Sequence, residues 1–406
     1  MNETAFNELA GWVTEAGLVG RSETELMAGF CRRVTKAGVP LARALVILDT
    51  LHPIYEGRAF RWRSDMPEAA EAIDYGRTNE GEAAESWRNS AFFHLLQSGE
   101  TAMRRRLAAG DPVDFLTIVQ ARDEGATDIL VLIHRFAAEG VIGEMDCVYS
   151  SWSTNAADGF GEEDVVALKR LAPFLKLAVK SAALARMAGT LAETYLGRDP
   201  GRRVMSGRIV RGVAEKIGAV LWYSDLHGYT HISDNAPPEQ IIPLLNDYAD
   251  VVISAVHGHG GDVLKLVGDG TLAIFTGDDR AGACRAALAA AAQMRKAAVK
   301  LDQKRARAGL PTTAVYLALH VGDVFYGNVG SKDRLDFTVI GPAVNEVSRI
   351  LAMSRSVEQD LLLSSSFADA LGPEMRPQLV SVGRYALRGV AQPQELFTPE
   401  PGFHIG

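Results

Sequence analysis

The sequence predicts a mixed α/β (α+β) chain in two parts joined by a helical connector, and three observations predict it. Residues 219–321 alternate between strand-like and helical periodicity in the order βαββαβ. Residues 1–180 interleave β-branched and aromatic runs with amphipathic helices. Residues 181–215 between them are helical in pattern, with a break at Gly197 and Pro200. A chain of 406 residues also exceeds what one ordinary hydrophobic core holds together.

In the first part, Leu26, Phe30 and Val34 at helical spacing lead into a strand-like run at 44–50. His52-Pro53 and Glu56-Gly57 mark a turn, and a second strand follows from Arg58 to Trp62. Two more strand-like runs lie at 128–137 and 145–154. From 159 onward, acids in a first turn precede a long amphipathic helix that continues as SAALARMAGTLAETYL, and RVMSGRIVRGVAEKI resumes the helix after the break.

In the second part, AVLWYSD is a strand, and a helix from 237 to 256 starts with prolines where a missing N–H costs little. DVLKLV and TLAIFT are strands joined by a tight turn at Gly268-Asp269-Gly270. An Ala-rich helix runs to Gly309 and Pro311, and TTAVYLALHV is the next strand. This order is that of the ferredoxin-like fold.

Composition narrows the function. Hydrophobic residues make up 47% and charged residues 23%, and the net charge is −8. A general nucleic-acid binder would carry a basic footprint instead, so no nucleic-acid partner is expected. Three widely separated cysteines form neither a disulfide framework nor a zinc site and suit a reducing compartment. The first residues carry two acids and no base ahead of their apolar stretch, unlike a signal peptide, and no apolar run reaches about 20 residues. A cytoplasmic protein without a membrane partner is expected.

Two acids carry the chemistry. Asp225 closes the first strand of the βαββαβ unit, and Asp269 sits in the hairpin turn after Val267. In that topology the first and third strands are neighbours, so the two carboxylates approach each other. Like charges so close raise one pKa unless a divalent cation lies between them, and oxygen ligands suit magnesium or manganese. Taken singly, each acid reads first as bland, Asp269 as a turn residue and Asp225 as a strand-end cap.

Taken with their surroundings they read differently. WYSDLHGYT at 222–230, GGDVLKLVGDGTLAIF at 260–275 and DFTVIGPAVNEVSRI at 336–350 resemble the three catalytic blocks of class III adenylate and guanylate cyclases, in order and spacing, within a resemblance covering about 205–398. The resemblance implies that Asp225 and Asp269 hold two metal ions, Mg2+ or Mn2+, and that Lys265 hydrogen-bonds the adenine edge. Thr338 takes the second purine-recognising place, as in the subgroup related to bicarbonate-responsive soluble cyclases, and the Lys/Thr pair favours ATP. Asn345 and Arg349, four apart on one helix face, match the pair that orients the ribose and stabilises the transition state. Arg388 falls where the family has a triphosphate-binding lysine, keeping the charge but not the geometry.

The family geometry further implies a homodimer with head-to-tail catalytic domains. Each site then takes its aspartates from one chain and its purine and transition-state residues from the other. The run VFYGNVGSKDRLDFTV is similar to the family's dimerisation arm. The reaction implied is adenylate cyclase chemistry, ATP to 3′,5′-cyclic AMP and pyrophosphate. The alternatives are a guanylate cyclase and a non-catalytic cyclase-like module for nucleotide binding or interaction. Gly260-Gly261-Asp262 is similar to the diguanylate cyclase signature but lacks its acid-aromatic continuation.

In the first part, a late strand, a Gly-rich loop and FGEEDVVALKRLAPFLKLAV at 160–179 resemble a GAF domain, which implies a regulatory module with an unidentified small-molecule ligand. The expected division is 1–180 GAF-like, 181–215 helical linker and 216–406 catalytic. His257 and His259 in their Gly-rich loop read as solvated rather than metal-binding, and the basic run Lys300–Arg307 reads as a solvated helix end.

Overall fold

The computed structural model describes residues 1–136, 145–390 and 392–400, so the last residue of the strand expected over 128–137 and the final residues of the expected catalytic domain lie outside the described residues. The chain divides into two compact units, Met1–Leu191 and Ala192–Gly406.

The first unit opens with α1 (Glu3–Leu18) and α2 (Glu23–Lys36). Ser22 and Glu25 form a reciprocal capping box at the start of α2, satisfying two backbone donors there. Then come β1 (Arg43–Asp49), β2 (Gly57–Arg63), β3 (Ala70–Tyr75), α3 (Gly81–Arg88), α4 (Ala91–Ser98), β4 (Ala102–Arg105), α5 (Leu116–Asp123), β5 (Asp128–Arg135), β6 (Cys147–Thr154) and the long α6 (Glu162–Leu196). The strands form one antiparallel sheet in the order β3-β2-β1-β6-β5-β4.

Alternation along β1 sends Ala44, Val46 and Leu48 into a core shared with α1, α2 and α6. Ile129, Val131 and Ile133 of β5 point the other way, against Phe92 and Leu95 of α4 and Ile118 of α5. Helices therefore cover both faces of the sheet. The edge strands β3 (AEAIDY) and β4 (AMRR) escape the sequence pattern, because an edge strand pairs through its backbone and needs little apolar surface of its own.

The connector differs from the expectation that helix resumes after the break and runs on to 217. After α6, α7 spans only Arg198–Met205, and β7 (Ala214–Leu226) begins where helix was expected. Gly207 (φ 92°) and Gly212 (φ 78°) adopt the left-handed conformation that stops a helix. Thirteen residue pairs with the partner strand then claim 214–226 for the sheet.

The second unit continues with α8 (Tyr229–Asn235), α9 (Pro238–Gly258), β8 (Asp262–Val267), β9 (Gly270–Phe275), α10 (Arg280–Arg307), β10 (Val315–Gly330), β11 (Leu335–Ile340), α11 (Pro342–Ala352), α12 (Ser354–Val357), β12 (Leu361–Ser364), α13 (Ser365–Ala370), β13 (Leu379–Tyr385) and β14 (Gln394–Pro399). The sheet order is β13-β14-β12-β10-β7-β9-β8, with β11 added on β10. Its β10-β7-β9-β8 core is the βαββαβ arrangement, with the first and third strands side by side.

α9 and α10 pack on one face through Leu244, Tyr248, Leu288 and Met294, and α11 packs on the other through Val347 and Ile350. β10 runs unbroken through Gly322 and Gly327, which serve close packing rather than turns. A Cβ on Gly322 would lie 2.5 Å from that of Ala343, and one on Gly327 would lie 2.2 Å from the Val213 carbonyl oxygen.

Two expectations about charge are corrected. Arg305 is buried rather than solvated: it donates to the Pro311 carbonyl at 2.7 Å and pairs with Asp247, fastening α10 to α9. His257 and His259 are half-buried, and His259 Nδ1 donates to the Ala255 carbonyl at 3.0 Å. Among the described residues no helix is long and apolar enough to cross a membrane.

Candidate active site

Because β9 lies beside β7, the hairpin turn at its start reaches the end of β7. Gly268 takes the left-handed conformation (φ 63°) that a two-residue hairpin favours, and Asp269 is the second turn residue. Asp269 Oδ2 accepts a hydrogen bond from the Leu226 amide at 3.2 Å, which seats it next to Asp225. Gly270 makes this approach possible, since a Cβ there would come within 2.9 Å of the Ser224 carbonyl oxygen.

The electrostatics follow from the placement. Burial, and then the neighbouring Asp269 carboxylate, push the Asp225 carboxyl up to about 7, opposed by the Leu226 amide and by Arg355 on α12. Two acids held this close, one of them reluctant to ionise, are the donor set that a hard divalent cation relieves. Among the described residues no group of three or more His, Cys, Asp or Glu side chains is arranged to hold a metal. A cation on this pair would draw its other ligands from phosphate oxygens, backbone or water.

The loop after Asp225 is tied to the start of β10. The His227 amide donates to the Ala314 carbonyl at 2.8 Å, and the Thr313 hydroxyl donates to the His227 carbonyl at 2.6 Å. Gly228 (φ 67°) then turns the chain into α8.

Lys265 lies on β8 just past a bulge between Val263 and Lys265 that shifts the alternation by one residue. Its ammonium lies 3.0 Å from the Asp336 carboxylate on β11. Thr338 is two residues further along β11, on the same face as Asp336, while Phe337 and Val339 turn into the core. The Thr338 hydroxyl is buried and has no hydrogen-bond partner among the described residues. Such a group costs free energy unless something else bonds it.

Asn345 and Arg349 project from α11, whose first helical residue is Pro342 and whose Ala343, Val347 and Ile350 face the sheet. Asn345 is exposed and Arg349 half-buried. The Arg349 guanidinium lies against Gly389, where a Cβ would stand 3.1 Å from Nη1. The loop carrying the exposed Arg388 therefore passes directly over Arg349.

Of the expected residues, the structure brings Asp269 to Asp225 and the Arg388 loop to Arg349; Lys265 reaches Asp336, on the same strand face as Thr338, and Asn345 stands exposed one turn of α11 before Arg349. Asp336 and Arg355 were missed. Asp336 stands in the same sequence block as Thr338, two residues away, and that same-face spacing was the available signal. Nothing local in the sequence links Arg355 to Asp225, because α12 reaches it only through the fold.

Residues 214–398 match the adenylate and guanylate cyclase catalytic domain. An uncharacterised protein of Mycobacterium tuberculosis is 33% identical over 208 residues, 50% of this chain and 37% of its own length. An adenylate cyclase of Anabaena cylindrica is 35% identical over 159 residues, 38% of this chain and 31% of its own. The chain spans about a third of the length of these curated relatives. The crystal structure of the adenylyl cyclase CyaB from P. aeruginosa aligns at 23% identity with a TM-score of 0.41, covering 46% of this chain and 94% of that one.

Proposed function

Starting from a cyclase catalytic domain in residues 214–398, we propose that this chain is an adenylate cyclase that converts ATP to 3′,5′-cyclic AMP and pyrophosphate. The observation that carries the reading is the Asp225–Asp269 pair, two carboxylates brought together from separate elements with one pushed up towards neutrality.

Cyclases of this class use divalent metal ions, and Asp225 and Asp269 are the residues that would hold them, two per site. When bound, such ions lower the pKa of the attacking ribose hydroxyl and neutralise triphosphate charge. The protein's own residues do the rest. Lys265 donates to the purine edge, and Thr338 supplies the hydroxyl that finds no partner within the described residues. Asn345 orients the ribose. Arg349 offers a fixed guanidinium to the α-phosphate, where negative charge grows as the 3′-oxygen bonds to phosphorus and pyrophosphate leaves. Arg388, on the loop above Arg349, takes the departing phosphates.

The site is shared between two copies arranged head to tail. In support, Leu266, Val267, Phe325, Val329 and Ile340 leave large apolar side chains between 38% and 56% exposed on β8 and on the β10–β11 arm. The N-terminal unit is a GAF-like regulatory module, a reading supported by its six-stranded antiparallel sheet with helices on both faces. On this reading residues 1–180 are the GAF-like module, 181–215 the connector, whose last two residues already belong to β7, and 216–406 the catalytic domain, and the protein works in the cytoplasm.

The test is turnover of ATP and of GTP by the full-length protein with magnesium or manganese. Cyclic AMP formation that exceeds cyclic GMP formation supports the proposal. A preference for GTP would make the chain a guanylate cyclase, and no product from either would leave a nucleotide-binding module.

A further inference from the structure

A cavity of about 530 Å³ lies in the N-terminal unit on the sheet face away from α1, α2 and α6, where it touches α3, α4 and α5. Strand alternation creates it. While Ala44, Val46 and Leu48 fill the core on one side, Leu45, Ile47 and Asp49 line the cavity on the other. Its size is that of a pocket for a small organic molecule.

The lining has two chemistries. One part is aromatic: Tyr149 meets Trp87 edge-on at 5.3 Å between ring centroids and Phe92 at 5.5 Å. The other part is acidic, with Asp49, Glu56 and Asp146, and no lysine, arginine or histidine is among the described lining residues. Two of these carboxylates are fixed in place. Tyr75 donates its hydroxyl to Asp49 Oδ1 at 2.7 Å, and Glu56 accepts from the Thr78 amide at 2.6 Å.

This combination selects its ligand. A phosphate or carboxylate would meet like charge from Asp49 and Glu56, both half-buried, and from the exposed Asp146 at the rim, with no cation among the described lining residues. An ammonium gains charge-assisted hydrogen bonds from the carboxylates, and a ring joined to it gains edge and face contacts with Trp87 and Tyr149.

We propose that this cavity binds a monovalent organic cation with a ring-bearing apolar body, the arylalkylamine class. The inference deepens the reading of the unit as a regulatory module and rests on that reading only for the consequence of binding.

The experiment is calorimetric titration of the full-length protein with phenethylamine and with phenylacetate, which share a ring and chain but differ in charge. Phenethylamine should bind at least about tenfold tighter than phenylacetate, the margin expected when an ammonium rather than a carboxylate meets three carboxylates, two of them half-buried. Asp146→Asn and Trp87→Leu should each weaken phenethylamine about fivefold or more, and Trp87→Phe should recover part of the loss. Unchanged melting of the unliganded variants shows that they fold.

Equal affinity for the two probes, or no heat from phenethylamine up to about 10 mM, the weak end for ligands this small, overturns the proposal. Phenethylamine binding that leaves cyclase activity unchanged would instead overturn the regulatory reading alone. Binding in a protein that cyclises neither nucleotide would overturn the catalytic reading alone.

Discussion

The ammonium of Lys265 on β8 is held 3.0 Å from the Asp336 carboxylate on β11, on the same strand face as the Thr338 hydroxyl, which has no partner among the described residues. Both members of this pair are more than a third exposed, so it contributes at most about 1 kcal/mol to stability. Its effect should show in base choice instead. Asp336→Asn should leave the melting temperature within about 3 °C of wild type, given so small a contribution. It should lower kcat/KM for ATP roughly three- to tenfold and narrow the ATP/GTP ratio, because Lys265 loses its anchor. Asp336→Glu should restore part of the ratio. An unchanged ratio in Asp336→Asn would show that the pair does not position Lys265.

Lys265 itself should set the preference. Lys265→Glu replaces a donor with an acceptor at the purine edge, so ATP turnover should fall more than GTP turnover. Steady-state rates with each nucleotide decide this, and a preserved preference would remove Lys265 from the purine pocket.

Asp225→Ala or Asp269→Ala should lower cyclase activity by about a hundredfold or more at saturating magnesium, since metal positioning supplies several kcal/mol of transition-state stabilisation. Near-normal turnover in either variant would contradict the role of the pair. Direct titration with manganese provides a readout that does not depend on activity, and each variant should lose heat of binding.

In the N-terminal unit, Lys176 of α6 is 3% exposed, donates to the Leu132 carbonyl at 3.2 Å and shares a hydrogen bond with His134 Nδ1 at 2.7 Å. Burial lowers its pKa to about 7. The unfolded chain keeps that proton up to the ordinary lysine value of about 10.4, so between about 7 and 10.4 the unfolded state binds more protons. Stability from this group is therefore lost as pH falls through that window, by up to about 1.4 kcal/mol per unit. Thermal melts should show wild type losing stability relative to Lys176→Met between about pH 10 and 7, and no further relative loss from lysine below 7. A difference that does not change with pH would mean that Lys176 stays charged in the folded state.

Legibility varied with how local the signal was. The βαββαβ order could be read because β7 and β9 carry apolar runs and the Gly268-Asp269 turn announces its hairpin. Helix was wrongly extended over 206–217 because Ile209, Val210, Val213 and Ile217 fall at helical spacing. The claim of β10 on 214–226 is a tertiary effect that no local window contains. Arg305 was misread for the same reason: its charge suggests solvent, while its partners Asp247 and Pro311 are distant from it or beyond the helix. Asp336 shares a motif with Thr338 and could have been read from its same-face spacing, whereas Arg355 is recognised only by what the fold places beside it.

The account depends most on a site shared between two copies, and subunit mixing tests that directly. On the proposed arrangement, Asp225→Ala homodimers would lack the carboxylate pair in both sites, and Arg349→Ala homodimers would lack the proposed transition-state arginine in both. A mixed dimer concentrates both defects in one site and leaves the other whole. After full exchange of an equal mixture about half the dimers are mixed, each with one working site, so cyclic AMP production should recover to roughly a quarter of wild type. Either variant alone should remain about a hundredfold or more below wild type. Coexpression with two different affinity tags allows the mixed dimer to be isolated and assayed. Mixed dimers as inactive as their parents would contradict the account and place each site within a single chain.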